Sequence, residues 1–397
     1  MRKFTIDNQV FEESSQELRA FLANAYEQHL RPMCMCKTNH IPMYIARVED
    51  QYLIKRMPLT GCEHDSNCPS HQPPYELSGL GPLIGTAIQF DNSGQTNLKL
   101  DFSMTRRGPR PALPKAKIAA ESAIRHTSDK LTLRAMLHYL WEAGELTEWR
   151  SAWTGRRGWG RVRSSLINAA SQMSTRSGPL NDVLYIPEVF RTPDKDAISA
   201  RRTQSLKKAL APKSGPRKLM MVVAEVKEFS CAREGQKITV RHMPFPLLLD
   251  ESATRRLTVR YETELDLWRS NEAFHLIVIA TFAISSAGIA SVDEIALMVV
   301  NENWLPFEDM VELQLLEKLA RLKRKIVKGL RFNLPRNKPI VSITLPEQKP
   351  SPVAMFIVRA DVGDEYENAL QDMINARPEI TPWIWHVGKE NIPELPY

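Results

Sequence analysis

The sequence predicts a multidomain α+β protein, and three features of the chain lead to this prediction. At 397 residues the chain is long for one compact core, since domains usually have about 100–200 residues. Four of the five cysteines lie near the N-terminus, among segments with strand-like alternation. The middle of the chain has helical periodicity, whereas the C-terminal part alternates between strand and helix patterns. The first patterns of this part predict strands and one helix, and their ranges are Leu219–Phe229, Ile238–His242, Ala253–Trp268 (the helix), His275–Ala283 and Ala290–Val300.

These features divide the chain into five segments. The first is a zinc-ribbon-like module with two β-hairpins, and a basic, proline-rich linker follows it. A helical module, for which a winged helix is one form, is next, and a charged loop then leads into an α/β region. The predicted boundaries are 1–105, 106–118, 119–190, 191–218 and 219–397.

The composition is that of a globular protein with an anionic partner. Hydrophobic residues make up 43% and charged residues 25% of the chain, which excludes wholesale disorder. The formal net charge is +7 and the isoelectric point is about 9.1, and both favour an anionic partner such as nucleic acid.

The sequence predicts a cytoplasmic protein without a membrane partner. The N-terminal residues lack the apolar stretch of a signal peptide. The longest apolar run, from His275 to Ala290, is shorter than the ~20 residues that a membrane-spanning helix needs. Four of the five cysteines lie between Cys34 and Cys68, and this odd, clustered set does not fit a secreted disulfide scaffold.

The cysteine-rich part is predicted to contain one helix and two hairpins. Apolar residues recur at helical spacing from Phe11 to His29. Alternation over Met43–Met57 predicts a hairpin that turns at Glu49-Asp50. A second hairpin turns at Asn92-Ser93-Gly94, where glycine can supply a positive φ. The stretch Arg106–Lys117 is the basic linker.

The cysteines and a histidine have the spacing of a structural zinc site. Zinc takes four N or S ligands, usually as two close pairs on two turns, and a hairpin brings two such turns together. The first pair is a CxC, and the second is either CxH or HxxxC. We prefer HxxxC because its spacing spans a turn comfortably, and Cys62 is then the alternate ligand. A catalytic metal would also need a general base, and Glu63 is the only adjacent candidate. The preferred ligands are Cys34, Cys36, His64 and Cys68.

The middle of the chain places a basic, tryptophan-rich run between two predicted helices. One helix ends at Gly144, and the other begins near Trp159. Such a run fits the turn of a helix-turn-helix module that contacts DNA phosphates. It also fits tryptophans that anchor a small core beside solvated arginines. The candidate nucleic-acid-binding residues are Arg150, Arg156, Arg157, Trp159, Arg161 and Arg163.

The α/β region contains a short motif that is similar to part of a nuclease site. Glu225 and Lys227 form a Glu-x-Lys at the end of an apolar strand, as in PD-(D/E)xK nucleases, whose carboxylates hold Mg²⁺. The upstream aspartate would be Asp182 or Asp194. Alternation along a strand also places two charges on its solvent face by chance. We therefore keep a metal-dependent nuclease as the alternative to a non-enzymatic protein.

The last part of the chain predicts a long helix and then a compact unit. The helix runs from Asp309 to Lys328, and cations near its C-terminus are interpreted as a solvated helix end. The unit that follows reads strand, strand, helix, strand, which is the order of a restriction-endonuclease-like core. Ser342 and Phe356 fall near the positions where acidic ligands would be expected, so the unit is predicted to be degenerate.

Several longer strings resemble an uncharacterised bacterial family that carries only a domain-of-unknown-function label. They include KRMP followed by CPSHQPPYELSGLG, then LHYLWEAGELTEW, VVAEVKEF and NENWLPFE, so the resemblance spans nearly the whole chain. Its members are encoded largely on plasmids and integrative elements. The resemblance implies a CxC plus HxxxC metal set, which supports His64 and Cys68 over Cys62.

The sequence therefore predicts a non-enzymatic nucleic-acid-binding or accessory protein of a bacterial mobile element that contains a structural Zn²⁺. DNA is preferred over RNA as the partner. A metal-dependent nuclease is the first alternative. The second is a protein–protein scaffold whose partners are components of a conjugation or defence complex.

Overall fold

The structure is a computed structural model that describes residues 2–48, 51–91, 94–106, 129–210 and 217–396. Apart from Arg106, the predicted linker 106–118 lies outside the described residues. The first two residues of each predicted hairpin turn, at 49–50 and 92–93, also lie outside them. Within the described ranges, no helix combines the length and the apolar character needed to cross a membrane.

The described residues form eight α-helices, and with the strands below they confirm the α+β class. Side chains of Ser15, Thr132, Asp250 and Asp309 cap four of the helices by accepting a backbone N–H of the first turn. The helices are α1 (Gln16–Glu27), α2 (Leu133–Ala143), α3 (Trp159–Ser171), α4 (Lys195–Leu206), α5 (Glu251–Arg260), α6 (Glu262–Ser270), α7 (Met310–Arg321) and α8 (Asp364–Asn375).

The strands of the described residues are mostly short, and the long ones lie between residues 220 and 300. In chain order they are β1 (Lys3–Ile6), β2 (Gln9–Glu12), β3 (Met33–Cys34), β4 (Ile41–Val48), β5 (Gln51–Arg56), β6 (Ile88–Phe90), β7 (Thr96–Leu98), β8 (Thr105–Arg106), β9 (Glu148–Trp149), β10 (Met173–Thr175), β11 (Gly178–Pro179), β12 (Leu184–Tyr185), β13 (Arg217–Lys218), β14 (Met220–Cys231), β15 (Gln236–Val240), β16 (Leu247–Leu249), β17 (His275–Ile284), β18 (Ala290–Val300), β19 (Ile326–Lys328), β20 (Ile343–Leu345), β21 (Val353–Val358) and β22 (Thr381–His386).

The N-terminal sheet has the order β2-β1-β3-β4-β5, and helix α1 packs on it. The β4–β5 hairpin is the one predicted from the sequence. The β1–β2 hairpin was not predicted. Its two-residue turn consists of Asp7 and Asn8, both with positive φ, as a type I′ turn requires. Phe4, Leu22 and Met43 lie in the small hydrophobic cluster between this sheet and the helix.

A second and much larger hydrophobic cluster begins at Leu80 and includes residues as far as Leu395. The β6–β7 hairpin belongs to this large cluster, and β7 pairs with β10 in the sheet β11-β10-β7-β6. Gly94, at the turn of this hairpin, has a φ of +87°, as predicted. Residues 1–105 thus contribute to both of these clusters, and Leu77 lies in a third cluster together with residues of β21 and α8.

Five strands in the centre of the large cluster pair in a closed ring. Strands β14, β15 and β16 form an antiparallel meander, and β16 then pairs in parallel with β18. Strand β18 pairs antiparallel with β17, and β17 returns to pair with β14. Helices α5 and α6 lie in the connection between β16 and β17. This order is that of the OB-fold, a five-stranded Greek-key barrel.

Strand β14 pairs with both β15 and β17, and so closes the ring, because it bends in its middle. Its first half, Met220–Glu225, pairs with β17, and its second half pairs with β15. The register shifts between Val226 and Glu228, and such a bulge increases the local bend of a strand. The β14–β15 turn needs Gly235, whose φ is +88° and where a Cβ would lie 2.1 Å from a backbone oxygen.

The C-terminal sheet has the order β22-β21-β20-β19-β9. Strand β20, strand β21, helix α8 and strand β22 follow one another as the sequence predicts, and β21 and β22 pair in parallel. Strand β9 comes from the middle of the chain and pairs with β19, so this sheet joins two of the predicted segments.

Four predicted elements differ from the structure. The charged loop 191–218 contains helix α4, of which only Ile198 and Leu206 are buried, so its helical periodicity is weak in the sequence. The helix predicted from Phe11 begins at Gln16 instead, and the one expected near residues 253–268 is two helices that meet at Tyr261. The long helix predicted to reach Lys328 ends at Arg321, and Lys328 itself lies in strand β19.

Candidate metal centre

Two turns of the N-terminal part bring four potential metal ligands together. Cys34 ends the short strand β3, and Cys36 follows in the turn that leads to β4. His64 directly follows a single 3₁₀ turn, Thr60–Glu63, and Cys68 lies in the next turn. The candidate ligand atoms of these four residues all lie within 4.8 Å of one another. The structure thus brings together the four residues that the sequence favours as a set, and they could hold a metal ion.

The distances between the ligand atoms fit a tetrahedral site. Zinc–sulfur and zinc–nitrogen bonds of about 2.3 and 2.0 Å imply S···S distances of about 3.8 Å and S···N distances of about 3.5 Å. The Sγ atoms of Cys34 and Cys68 are 3.8 Å apart. His64 Nδ1 lies 3.3 Å from Cys36 Sγ and 3.7 Å from Cys68 Sγ. The sulfur separation is also far too long for a disulfide, whose S–S bond is about 2.05 Å.

The cluster is enclosed by protein. Cys34, His64 and Cys68 are buried, and Cys36 is half-buried. The backbone N–H of Ser70 lies 3.4 Å from Cys68 Sγ, as in a hydrogen bond to a thiolate. Arg56 donates to the Ser70 carbonyl oxygen at 2.9 Å, so strand β5 holds this turn in place.

The side chains of Cys34 and Cys68 face each other, and one proton shared between the two sulfur atoms is favoured over two separate thiols. Contact with the Cys34 thiol lowers the pKa of Cys68 to about 3, and the same contact raises the pKa of Cys34 above its usual range. Burial raises the pKa of Cys36. A cation in this position would replace the shared proton and stabilise all three thiolates, which is why metal binding to such sites releases protons.

One buried atom at the site has no hydrogen-bond partner among the described residues. It is Nε2 of His64, the ring nitrogen that points away from the sulfur atoms. Gly61, which precedes the ligand turn, allows the chain to close on itself, since a Cβ there would lie 2.6 Å from Gln72 Cβ. Cys62 is exposed, its Sγ lies 3.9 Å from the Leu59 carbonyl oxygen, and it is not part of the cluster.

Comparison with known proteins identifies the family of this chain. A family model described as a protein of unknown function, DUF1173, matches residues 4–388. The chain belongs to the DUF1173 family. This match covers nearly the whole chain and agrees with the resemblance noted in the sequence. No curated protein and no solved structure matches the chain.

Three of the six candidate nucleic-acid-binding residues of this DUF1173 chain are held by the fold. Trp159 is buried, and its indole N–H donates to a backbone carbonyl at 2.8 Å. Arg163 donates to a backbone carbonyl at 3.1 Å. Arg157 donates to the Leu146 carbonyl oxygen at 3.1 Å and lies over the Trp153 ring, 4.7 Å from its centroid. Burial lowers the pKa of Arg157 to about 10.

The other three candidates are nearer to solvent. Arg150 is half-buried, 3.8 Å from a carboxylate oxygen of Glu148, and its guanidinium lies 5.5 Å from the Trp153 ring centroid. Arg156 and Arg161 are exposed, and neither side chain forms a hydrogen bond or ion pair within the described residues. Of the arginine-rich run, these two side chains are therefore the most accessible to a phosphate.

The Glu-x-Lys motif does not form a cluster of metal ligands. Glu225 is buried, its Oε1 accepts from Arg241 Nε at 2.9 Å, and His275 Nδ1 lies 2.8 Å from the same oxygen. The His275 ring stacks on Trp304 at a centroid distance of 4.2 Å. Lys227 is exposed. The sequence contains no local signal for this group, because its members come from two different strands, a turn and a loop.

The two candidate upstream aspartates lie elsewhere. Strand β12 pairs in parallel with β14, with Leu184 opposite Met221, so Asp182 lies about 20 Å along the sheet from Glu225. Asp182 pairs with Lys208 at 3.2 Å, and Asp194 directly precedes helix α4. Within the described parts of the chain, the Cys/His cluster is the one group of three or more ligands placed to hold a metal ion.

Proposed function

We propose that this protein binds single-stranded nucleic acid, preferably DNA, through its central barrel. The observation that supports the proposal is the strand order of the barrel, since OB-folds bind oligonucleotides on the face of their second and third strands and on the adjacent loops. These strands are β15 and β16 in this chain. The loops between β14 and β15 and between β17 and β18 flank them.

Cationic side chains lie on this face. Ile238 of β15 points into the core, so Lys237 and Thr239 point outward, as alternation along a strand requires. Lys227 is exposed at the bend of β14, and Arg233 is exposed in the β14–β15 turn. None of the three cations forms an ion pair with another described residue, so each can contact a phosphate.

The face also carries the acidic side chains of Glu228 and Glu234, which limit its positive potential. We therefore expect only two or three phosphate contacts from the barrel itself. Exposed Arg156 and Arg161 would add contacts if the strand extends toward helix α3. This helix is followed by the short β10–β11 hairpin, an order that fits a winged helix.

The metal centre has a structural role in this proposal. Three thiolates and one imidazole form a donor set that suits Zn²⁺, and a complete tetrahedron leaves no open position for catalysis. We propose that Zn²⁺ stabilises the small N-terminal cluster as in a zinc ribbon. The C-terminal unit follows the chain order strand, strand, helix, strand that the sequence likened to a nuclease core, and β20 and β21 carry no carboxylate, which fits a docking role.

The family resemblance suggests the setting in which such a protein acts. Accessory proteins of plasmids and integrative elements meet single-stranded DNA when an element is transferred or replicated. We propose that this chain acts on such DNA in the cytoplasm.

The test is a binding titration of the purified protein with oligonucleotides of single-stranded DNA, duplex DNA and RNA at several salt concentrations. We expect single-stranded DNA to bind most tightly, with a slope of about −2 for log K against log salt concentration. The double substitution Lys227→Glu and Lys237→Glu should weaken binding by at least about tenfold. A matched pair, Lys318→Glu and Lys389→Glu, reverses two exposed charges elsewhere and should leave the affinity unchanged.

Two results would contradict the proposal. Equal loss of affinity in both double variants would mean that the barrel face is not the binding surface. Absence of binding to any oligonucleotide at low salt would favour a protein-docking role for the whole chain.

A further inference from the structure

A cavity lies where the N-terminal sheet meets helices α2 and α3. It has a volume of about 110 Å³ and joins a smaller one of about 40 Å³ at a wall formed by Gln72, Pro73, Tyr75 and Glu142. A water molecule needs about 10–15 Å³ by the same measure, so the larger cavity has room for several waters or for a planar ring. Its wall includes Tyr44 of β4, Lys55 of β5, Tyr139 of α2 and Ala169 of α3.

The carboxylate of Glu142, on α2, faces both cavities without a partner. The side chain is half-buried, and no described residue forms a hydrogen bond or ion pair with its carboxylate, which is costly for a charge partly removed from water. Burial raises the pKa of Glu142 to about 7. In the smaller cavity, the buried hydroxyl of Thr147 also has no partner among the described residues. The Glu142 carboxylate and the Thr147 hydroxyl therefore both line this space without a hydrogen-bond partner among the described residues.

The rest of the cavity wall has a different character. Rings of Tyr44, Tyr75 and Tyr139 line it and offer flat apolar surfaces. The cationic side chains of Lys55 and Arg56 lie on β5, on the side of the cavity that belongs to the N-terminal sheet. Arg56 is already bound to the Ser70 carbonyl oxygen, whereas Lys55 forms no ion pair within the described residues.

We propose that this cavity binds a guanine nucleotide, either free or at an end of a nucleic-acid strand. The N1–H and 2-amino groups of guanine are adjacent donors that a single carboxylate accepts together, which would satisfy Glu142. The base would lie among the tyrosine rings, and Lys55 would contact the phosphate. Adenine presents an acceptor at N1, and two acceptors facing each other repel, so at pH 8, where the Glu142 carboxylate is mostly ionised, adenine is disfavoured.

The proposal is independent of the nucleic-acid-binding face of the barrel, because no residue of the barrel lines this cavity. The experiment is isothermal titration of the full-length, metal-loaded protein at pH 8 with GMP, IMP, AMP and guanosine. We expect GMP to bind, IMP to bind about tenfold more weakly because it lacks the 2-amino group, and AMP not to bind at millimolar concentration. A DNA oligonucleotide with a terminal dG, compared with one ending in dA, separates a strand end from a free nucleotide.

Two variants test the assigned roles. Glu142→Gln should weaken GMP binding by at least about tenfold, and it should fold normally because it removes an unpaired charge. Lys55→Ala should weaken GMP but not guanosine, since guanosine has no phosphate. Failure of all guanine ligands to bind, or unchanged GMP affinity in Glu142→Gln, would overturn the proposal. Either failure would leave the salt-dependent binding of the barrel face as a separate result.

Discussion

At the scale of single residues, Cys34 and Cys62 provide a matched pair for testing the metal centre. Both are cysteines of the same N-terminal part, but only Cys34 lies within the Cys/His cluster. We expect Cys34→Ser to lose about one zinc ion per chain and to lower the free energy of unfolding, because metal binding contributes folding energy. Cys62→Ser should keep both the metal and the stability.

The measurements are metal analysis by plasma mass spectrometry and urea unfolding followed by circular dichroism. A wild-type protein without bound metal after purification and zinc addition would rule out the site. Loss of metal in Cys62→Ser, with retention in Cys34→Ser, would mean that the ligand set is wrong.

The cluster was predictable from residue spacing because its ligands form two local pairs. The choice of His64 over Cys62 depends on the short turn Thr60–Glu63, which directs Cys62 outward and brings His64 to the sulfur atoms. Residues such as Glu142 and His275 could not be assigned in this way. Their surroundings are formed by segments that are far apart in the chain, so no local pattern marks them.

At the scale of secondary-structure elements, the connection from helix α7 to strand β19 shows what periodicity misses. The periodicity of the sequence predicts that the helix continues to Lys328 and that the cationic side chains near its C-terminus are exposed to solvent. In the structure Lys328 is buried, and its Nζ lies 3.0 Å from Glu312 Oε1 of α7 and 2.5 Å from the Gly329 carbonyl oxygen. A charged residue in such a position is buried only because its partner lies nearby in space.

The buried pair leads to a prediction about the contact between α7 and β19. Lys328→Ala leaves the Glu312 carboxylate buried without its partner and should lower the free energy of unfolding by about 3–5 kcal/mol. The control is Lys318→Ala, on the exposed face of the same helix, which should change it by less than about 0.5 kcal/mol. Urea unfolding measures both values.

Replacing the whole pair separates two explanations of such a loss. The double substitution Lys328→Met and Glu312→Leu removes both charges and should restore much of the stability, since an apolar pair can replace a buried ion pair. Continued low stability in the double variant would indicate that packing, and not the unpaired charge, accounts for the effect.

At the scale of the whole molecule, the sequence predicts most of the long strands but not how they pair with one another. The sequence indicated the strands that became β14, β15, β17 and β18, together with the helical segment between them. Strand β16, only Leu247–Leu249, was missed because three residues give no alternation to read. Without β16 the ring does not close, so the OB-fold order emerged only from the pairing of strands that are distant in sequence.

The cavity beside helix α2 also leads to a prediction about pH. Glu142 lines this cavity, and burial raises its pKa to about 7, whereas an unfolded glutamate titrates near its ordinary value of about 4.5. The folded chain therefore binds more protons than the unfolded chain between these two values. Stability from this group is present below about pH 4.5 and is lost as the pH rises to about 7. The charged and titratable groups that line the same cavity are Tyr44, Lys55, Arg56, Tyr75, Tyr139 and Glu145.

Glu142→Gln removes this titration and leaves the neighbouring groups in place. Relative to the wild type, the variant should gain roughly 1–3 kcal/mol of unfolding free energy between pH 5 and pH 8, since part of the side chain is exposed to the cavity. Urea unfolding of both proteins at half-unit pH steps measures the difference, and titrations common to the two proteins cancel. A difference that stays constant over this range would show that the Glu142 carboxylate ionises as freely in the folded chain as in the unfolded one. The carboxylate would then carry its charge at no cost from burial, and the reason for a ligand in the cavity would be gone.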